Sequence, residues 1–240
     1  CIAINNILKR SFKTVFIKKL YSEQIDEQRL LKSKGKLICK NSRFDALTQA
    51  EKTGYDVAIM DDGLQQKNIK YSISIACFNS SETLGNRFLI PAGPLRERLN
   101  ALKNYNAVIL NGEKRDINFE NKIKRINNKI KLFYGKYEPT NLNKFNRKKN
   151  YLVFSGLGNP EEFERTLKKY KFNIKKNIVF PDHYNYKKRD IDKIKKMANK
   201  KKLNIITTEK DYLRIKKNLR KDILFLKVNL KLKDNKYFSN

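Results

Sequence analysis

Asp56-Val57-Ala58-Ile59-Met60-Asp61-Asp62-Gly63-Leu64-Gln65 is the stretch around which this 240-residue chain is organised. A short apolar run ends in two adjacent carboxylates and a glycine. In an open parallel sheet, ligands gather beyond the carboxyl ends of the strands. Acids standing there can hold a divalent cation, and the cation can hold phosphate oxygens. The same residues also read as a strand closing in an ordinary Asp-Asp-Gly turn, because Asp and Gly are turn formers. The stretch alone leaves both readings open; its neighbours separate them.

Towards the N-terminus, Ile2, Ala3, Ile4, Ile7 and Leu8 recur at helical spacing, and Lys13-Thr14-Val15-Phe16-Ile17 is strand-like. Asp26-Glu27 stand in a polar segment before a short helix over residues 28–34. Residues 36–39 read as a strand, and 43–52 as a helix with Gly54 as its stop. Towards the C-terminus, residues 72–78 and 107–110 are further strands. Strands alternating with short helices predict a parallel α/β sheet.

Residues 115–149 are rich in Asn and Lys, apart from an apolar patch at 130–134. A linker is expected over 137–149, dividing the chain into domains 1–145 and 146–240. Tyr151-Leu152-Val153-Phe154-Ser155 then reads as a strong strand. Gly156-Leu157-Gly158 turns it into a helix with Asn159 as N-cap and Pro160 at the first helical position. This turn lacks the third glycine of a dinucleotide fingerprint. A helix over 189–200, a strand over 203–207, a capping box at Thr208-Glu209-Lys210-Asp211 and a strand over 223–230 follow. The C-terminal part is a second, smaller α/β unit.

With 40% hydrophobic residues the chain can build a core, and 55 Lys and Arg against 24 acids give it a net charge of +31. That balance favours nucleic acid, acidic membrane surfaces or phosphorylated substrates. The lysines are nevertheless scattered among Asn and Ile along the whole chain, as a compositional bias would leave them. No apolar run reaches the roughly 18 residues of a membrane-spanning helix, and no signal-peptide pattern is visible. Cys1, Cys39 and Cys77 have neither metal nor redox spacing. Cys39 and Cys77 lie in apolar runs and read as small buried hydrophobes of a reducing compartment.

Residues 85–98 hold Pro91 and Pro94, two of the five prolines. A loop so stiffened, bearing Arg87, Arg96, Glu97 and Arg98, suits the gripping of an anion, and it equally suits a solvated proline turn. The only histidine, His183, stands in Phe180-Pro181-Asp182-His183.

Taken together, Asp26-Glu27, Asp61-Asp62-Gly63-Leu64-Gln65, Pro91-Ala92-Gly93-Pro94-Leu95-Arg96-Glu97 and Phe180-Pro181-Asp182-His183 resemble the tetraacyldisaccharide 4'-kinases, the lipid A 4'-kinases of Gram-negative bacteria. Phe154-Ser155-Gly156-Leu157-Gly158-Asn159-Pro160 and Thr208-Glu209-Lys210-Asp211 extend the resemblance to about residue 215. It implies a P-loop-kinase-like parallel sheet flanked by helices, with a second smaller α/β/α lobe and the active site between the lobes. It implies transfer of phosphate from ATP, with Mg2+, to the 4'-hydroxyl of a tetraacyldisaccharide 1-phosphate, a lipid A precursor. The enzyme would be a peripheral monomer at the cytoplasmic face of the bacterial inner membrane, touching an anionic membrane surface and no nucleic acid.

The resemblance also implies roles. Asp26 is the base that accepts the hydroxyl proton, and His183 assists it. Asp61 and Asp62 hold Mg2+. Arg96, Glu97 and Gln65 lie on the nucleotide side, and Glu27 and Arg43 on the lipid side. Three positions depart from the family's pattern: Ile25 and Gln28 flank the Asp-Glu pair where Gly and Pro are usual, and Gln66 stands where His is usual. No Gly-x-x-x-x-Gly-Lys-Ser/Thr occurs in the 240 residues. The expectation is therefore that the chain starts just after the P-loop, and that by itself it binds Mg-ATP poorly and has negligible activity. Two other classes compete. The charge admits a basic nucleic-acid-binding protein, though no zinc spacing or RNP sequence supports one. A non-catalytic α/β scaffold that only binds is the other.

Overall fold

The computed structural model describes residues 1–21, 24–66, 68–80 and 82–233. In chain order the elements are α1 (Ile2–Leu8), β1 (Thr14–Lys19), α2 (Ile25–Lys34), β2 (Leu37–Lys40), α3 (Arg43–Lys52) and β3 (Val57–Met60). They continue with β4 (Ile75–Asn79), β5 (Ala107–Asn111), α4 (Ile117–Ile126), β6 (Lys131–Pro139) and β7 (Asn150–Ser155). Then come α5 (Pro160–Lys169), β8 (Asn173–Val179), α6 (Lys188–Lys200), β9 (Asn204–Thr208), α7 (Glu209–Arg214), β10 (Ile223–Leu226) and β11 (Val228–Leu232).

The chain packs as two units. One comprises Cys1–Lys18, Arg43–Glu138 and the chain from Asn229; the other comprises Lys19–Ser42 and Pro139–Val228. The sequence suggested a single crossing after residue 145. The structure also assigns 19–42 to the unit of the C-terminal half, so Asp26 and His183 share a unit.

In the first unit β1 and β3 pair in parallel, from Thr14 opposite Val57 to Ile17 opposite Met60. Val15, Phe16 and Ile17 are all buried, as in a parallel strand covered on both faces. A second sheet has the order β11-β6-β5-β4. Side chains of β5 alternate between its faces. Val108 and Leu110 pack with Phe119 and Ile123 of α4. Ala107 and Ile109 pack with Phe133, Leu232 and Ile7. The sequence did not predict α4, because Asn and Lys fill its outer face. Of its apolar side chains Phe119 and Ile123, one turn apart, are the buried ones, and Asp116 caps it by accepting from the Phe119 N–H at 2.9 Å. Cys77 corrects a second expectation: it is exposed, and Cys39 is half-buried. β4 is an edge strand, and its buried face is carried by Ala76 instead.

The second unit is built on a parallel sheet of order β10-β9-β7-β8. Leu152 and Phe154 of β7 pack against Ile191, Ile194 and Ala198 of α6. Tyr151 and Val153, pointing the other way, pack against Phe163 and Leu167 of α5. Helices thus cover both faces. Asn159 caps α5 by accepting from the Glu162 N–H, with Pro160 behind it. The helix expected from residue 28 begins at Ile25 instead, so Asp26 and Glu27 lie in the first turn of α2. Carboxylates there face the unpaired N–H groups of the helix start. The strand expected over 223–230 is two strands. The expected linker is partly ordered: β6 runs to Pro139, the Thr140 N–H donates to Lys227 O at 2.9 Å, and Asn141 bonds Phe225 O. No helix among the described residues is long and apolar enough to cross a membrane.

Candidate functional site

In the second unit, α2 is fastened to α7 along its length. Lys210 Nζ stands 3.0 Å from Glu27 Oε1, Lys34 Nζ 2.7 Å from Glu209 Oε1, and Arg29 donates to Leu213 O at 2.7 Å. The innermost link is Arg214 Nη2 to Asp26 Oδ2 at 2.7 Å. Asp26 is 2% exposed. A buried carboxylate needs a cation or strong donors as partners, and Arg214 is that cation.

Arg214 reaches further than Asp26. Its Nη2 lies 3.3 Å from His183 Nδ1, while Nη1 donates to Gly156 O at 2.6 Å and to Asp211 Oδ1 at 2.9 Å. Asp211 is fully buried and also accepts from the Gly156 N–H, the Tyr186 hydroxyl and the Thr208 hydroxyl. Burial first, and the Asp211 charge second, push the Tyr186 hydroxyl far above its ordinary pKa, so it stays a donor. Gly156 is required by close approach: a Cβ there would stand 2.9 Å from Pro181 O.

His183 has φ +56°, a left-handed conformation that few non-glycine residues adopt. Its N–H donates to Asp182 Oδ1 at 2.8 Å. The ring Nδ1 stands 3.7 Å from Asp26 Oδ1, and Nε2 stands 3.9 Å from Asp182 Oδ2. The structure therefore brings Asp26 and His183 together at Arg214, while Glu27, in the same turn of α2, pairs with Lys210.

In the first unit, β3 delivers Asp61 and Asp62 at its carboxyl end. The Asp61 N–H continues the pairing with β1 by donating to Ile17 O. Asp61 Oδ2 lies 2.8 Å from Lys18 Nζ, a side chain 2% exposed, and Oδ1 takes the weak Cys1 thiol donor at 3.3 Å. Asp62 has φ +56°. Its Oδ2 is bonded by Arg96 Nη1, and its carbonyl accepts from Arg43 Nη2 at 2.7 Å. Arg43 is 9% exposed, and its Nε is buried without a partner. Glu97 accepts from the Tyr105 hydroxyl, whose pKa is raised by burial and by Glu97. Arg43 and Arg96 thus meet at Asp62, and Asp61, its neighbour in sequence, is held separately by Lys18. Glu97 is held by Tyr105, and Gln65 is exposed with no described link to these residues.

Sequence reasoning missed Lys18 and Arg214. Lys18 had a signal: it is a charged residue continuing the apolar run Val15-Phe16-Ile17. Arg214 had little. Its place three residues after Asp211 allows a helical i,i+3 pair, but nothing local points to Asp26.

Chemically, the second unit offers a buried, charge-stabilised carboxylate beside an imidazole, an arrangement suited to taking a proton from a hydroxyl. The first offers two adjacent carboxylates and two arginines, suited to phosphate with a cation. A profile of the family described as tetraacyldisaccharide-1-P 4'-kinase matches residues 13–240. The tetraacyldisaccharide 4'-kinase of Pelagibacter ubique (strain HTCC1062) is 45% identical over 241 residues, which is 100% of this chain and 77% of the relative. That of Rickettsia canadensis (strain McKiel) is 36% identical over 86% of this chain, which spans 62% of the relative's length. That of Rickettsia akari (strain Hartford) is 34% identical over 88% of this chain, which spans 63% of the relative. The crystal structure of apo-form LpxK from Aquifex aeolicus in complex with ATP superposes with a TM-score of 0.70 at 18% identity, over 99% of this chain and 80% of that one. At that identity the likeness speaks for the fold, a P-loop-kinase-like α/β arrangement. From profile, relatives and fold together, the chain belongs to the tetraacyldisaccharide-1-P 4'-kinase family.

Proposed function

We propose that the protein carrying these residues transfers the γ-phosphoryl group of ATP to the 4'-hydroxyl of a tetraacyldisaccharide 1-phosphate, working peripherally at the cytoplasmic face of the bacterial inner membrane. The observation that carries this reading is Asp26: a buried carboxylate paired with Arg214, with His183 beside it. In the reaction the hydroxyl oxygen bonds to the γ-phosphorus, the bond from that phosphorus to the β–γ bridging oxygen breaks, and ADP departs. The hydroxyl proton goes to Asp26, on Oδ1, the oxygen that Arg214 leaves open. Glu27 and Arg43 are assigned to the lipid, and Arg96, Glu97 and Gln65 to the nucleotide.

Asp61 and Asp62 would hold Mg2+, which would draw phosphate oxygens together and offset their charge. The residues fit that ion. Each carboxylate gives Oδ2 to a cationic side chain, Lys18 or Arg96, while Asp61 Oδ1 meets only the weak thiol donor of Cys1, which a cation would displace at little cost. Among the described residues no three His, Cys, Asp or Glu side chains gather into a cage. Mg2+ is commonly held by one or two carboxylates, phosphates and water rather than by an all-protein cage.

The test uses the complete open reading frame that contains these 240 residues. Labelled phosphate should move from ATP to the lipid disaccharide, and chelation of divalent cations should stop it. A folded complete protein that leaves the lipid unlabelled, or one in which Asp26→Ala labels it at the original rate, would sink the reading.

A further inference from the structure

We infer that Arg214 is a positioning residue: its guanidinium holds Asp26 and His183 in one array and confines the proton of the neutral His183 ring to Nε2. The mechanistic meaning of this inference rests on the kinase reading above; its geometry does not.

A guanidinium has five N–H groups and no acceptor. Arg214 Nη2 lies 3.3 Å from His183 Nδ1, so Nδ1 must accept there. In a neutral imidazole one nitrogen accepts and the other carries the proton. The proton therefore sits on Nε2. With the proton on Nδ1 instead, two N–H groups would point at each other.

A second consequence concerns Asp26. His183 Nδ1 is 3.7 Å from Asp26 Oδ1, beyond hydrogen-bond range. The imidazole and the carboxylate are thus not joined directly. Both take hydrogens from the same arginine nitrogen, and Asp26 Oδ1 is left without that donor. Asp26 can then receive a proton on Oδ1 while Oδ2 stays tethered.

The arginine is held from behind. Nη1 is fixed by Gly156 O and Asp211 Oδ1. Asp211 is in turn fixed by three further donors from Gly156, Tyr186 and Thr208. A lysine at 214 would supply charge but not a planar fork that serves both sides at once. The side chain is 7% exposed, and its Nε is buried with no partner. Leaving a buried donor unsatisfied costs free energy. Its two terminal nitrogens, by contrast, are fully engaged, which is the pattern expected where placement of the terminal nitrogens outweighs packing of the stem.

The chain contains one histidine, so its ring-nitrogen NMR signals need no residue assignment, and Nε2, which couples to both ring carbon protons, is told from Nδ1, which couples mainly to one. With the pH raised until the ring signals no longer move, so that the imidazole is neutral, Nδ1 should resonate as an unprotonated nitrogen and Nε2 as a protonated one. In Arg214→Met and in Arg214→Lys the two forms should mix. A wild-type ring with its proton on Nδ1 overturns the inference, as do variants that keep the pure Nε2–H form. Should Arg214→Met fail to fold, the charge-conserving Arg214→Lys and the wild-type spectrum still decide.

A kinetic arm uses the complete protein. Arg214→Lys should lower kcat on the order of 10-fold to 100-fold, the scale of misplacing a reacting group, while KM for the lipid stays within about threefold. An unchanged kcat would refute a positioning role. If the wild-type protein transfers no phosphate while its histidine shows the expected tautomer, the kinase reading fails and the arginine's hold on the ring stands.

Discussion

Arg214 and Asp26, 188 residues apart in sequence, form an ion pair at 2.7 Å with side chains only 7% and 1% exposed. Removing two charges from water is costly, and apolar replacements often stabilise a protein as well or better. Such a pair is therefore weak evidence for stability as its purpose. It fits a carboxylate that must be buried and aimed.

Asp26→Asn keeps the shape and removes the charge. Phosphate transfer by the complete protein should fall by about 10²-fold to 10⁴-fold, the usual contribution of a general base. Among the described residues Arg214 then keeps Asp211 alone as an anionic partner, so stability should drop by roughly 3 kcal/mol. Urea unfolding beside a turnover assay checks both. A variant that loses stability but keeps its turnover would remove Asp26 from the proton-transfer role.

Lys18 and Asp61 should respond unequally to mutation. Asp61→Ala takes the carboxylate at 2.8 Å away from a lysine that is 2% exposed. It should cost about 2 kcal/mol, less than a fully buried pair because Asp61 is partly solvated. Lys18→Met puts an apolar chain into the buried site and should cost less than about 1 kcal/mol. Thermal denaturation of the two variants gives the comparison. Equal losses would mean that the pair acts as one indivisible unit.

Acid sensitivity should be partly localised at Glu120. The hydrogen bond from Arg115 is the largest cause holding its pKa below the ordinary glutamate value, against the opposing effect of burial. A folded-state pKa below the unfolded one gives stability that is present above the unfolded value, about 4.3, and lost as pH falls through the folded value. Stability of the wild type should decline below that point. Glu120→Gln should show a shallower decline over the same window in urea titrations at successive pH values. A decline as steep as the wild type's would assign the acid sensitivity to other carboxylates.

Binding to anionic vesicles should be weak and reversible. The net charge is +31, and each basic residue near an acidic surface contributes on the order of 1 kcal/mol. Co-sedimentation should collapse at about 1 M salt, where screening shortens to roughly 3 Å. Persistent binding would instead indicate insertion of apolar side chains, for which the exposed Phe88 and Ile90 are candidates.

Much of the fold was legible in local pattern. The continuous apolar runs of β1, β5 and β7 mark strands buried on both faces, and Asn159 and Thr208 announced helix starts that the structure bears out by their hydrogen bonds to Glu162 and Asp211. The start of α2 was misjudged, because nothing apolar marks its first turn apart from Ile25 and its stability comes from α7. The helix α4 was missed because the Asn and Lys around it outweighed Phe119, Ile123 and Ile126, which do recur at helical spacing.

Residue chemistry and short-range order determine what each segment can offer: a carboxylate pair at the end of an apolar strand, a stiff arginine-bearing loop, a histidine after Pro-Asp. These were readable without any coordinates. What tertiary structure alone decided is which cation meets which carboxylate. Lys18 reaches Asp61 across 43 residues, and Arg214 reaches Asp26 across 188. Ion pairs and hydrogen bonds act over a few ångströms of space, and sequence separation says nothing about that distance once the chain has folded back on itself. Residue 19–42 packing with the C-terminal half is the case in point: only when α2 lies on α7 does the arginine three residues after Asp211 come to hold Asp26 and His183 at once.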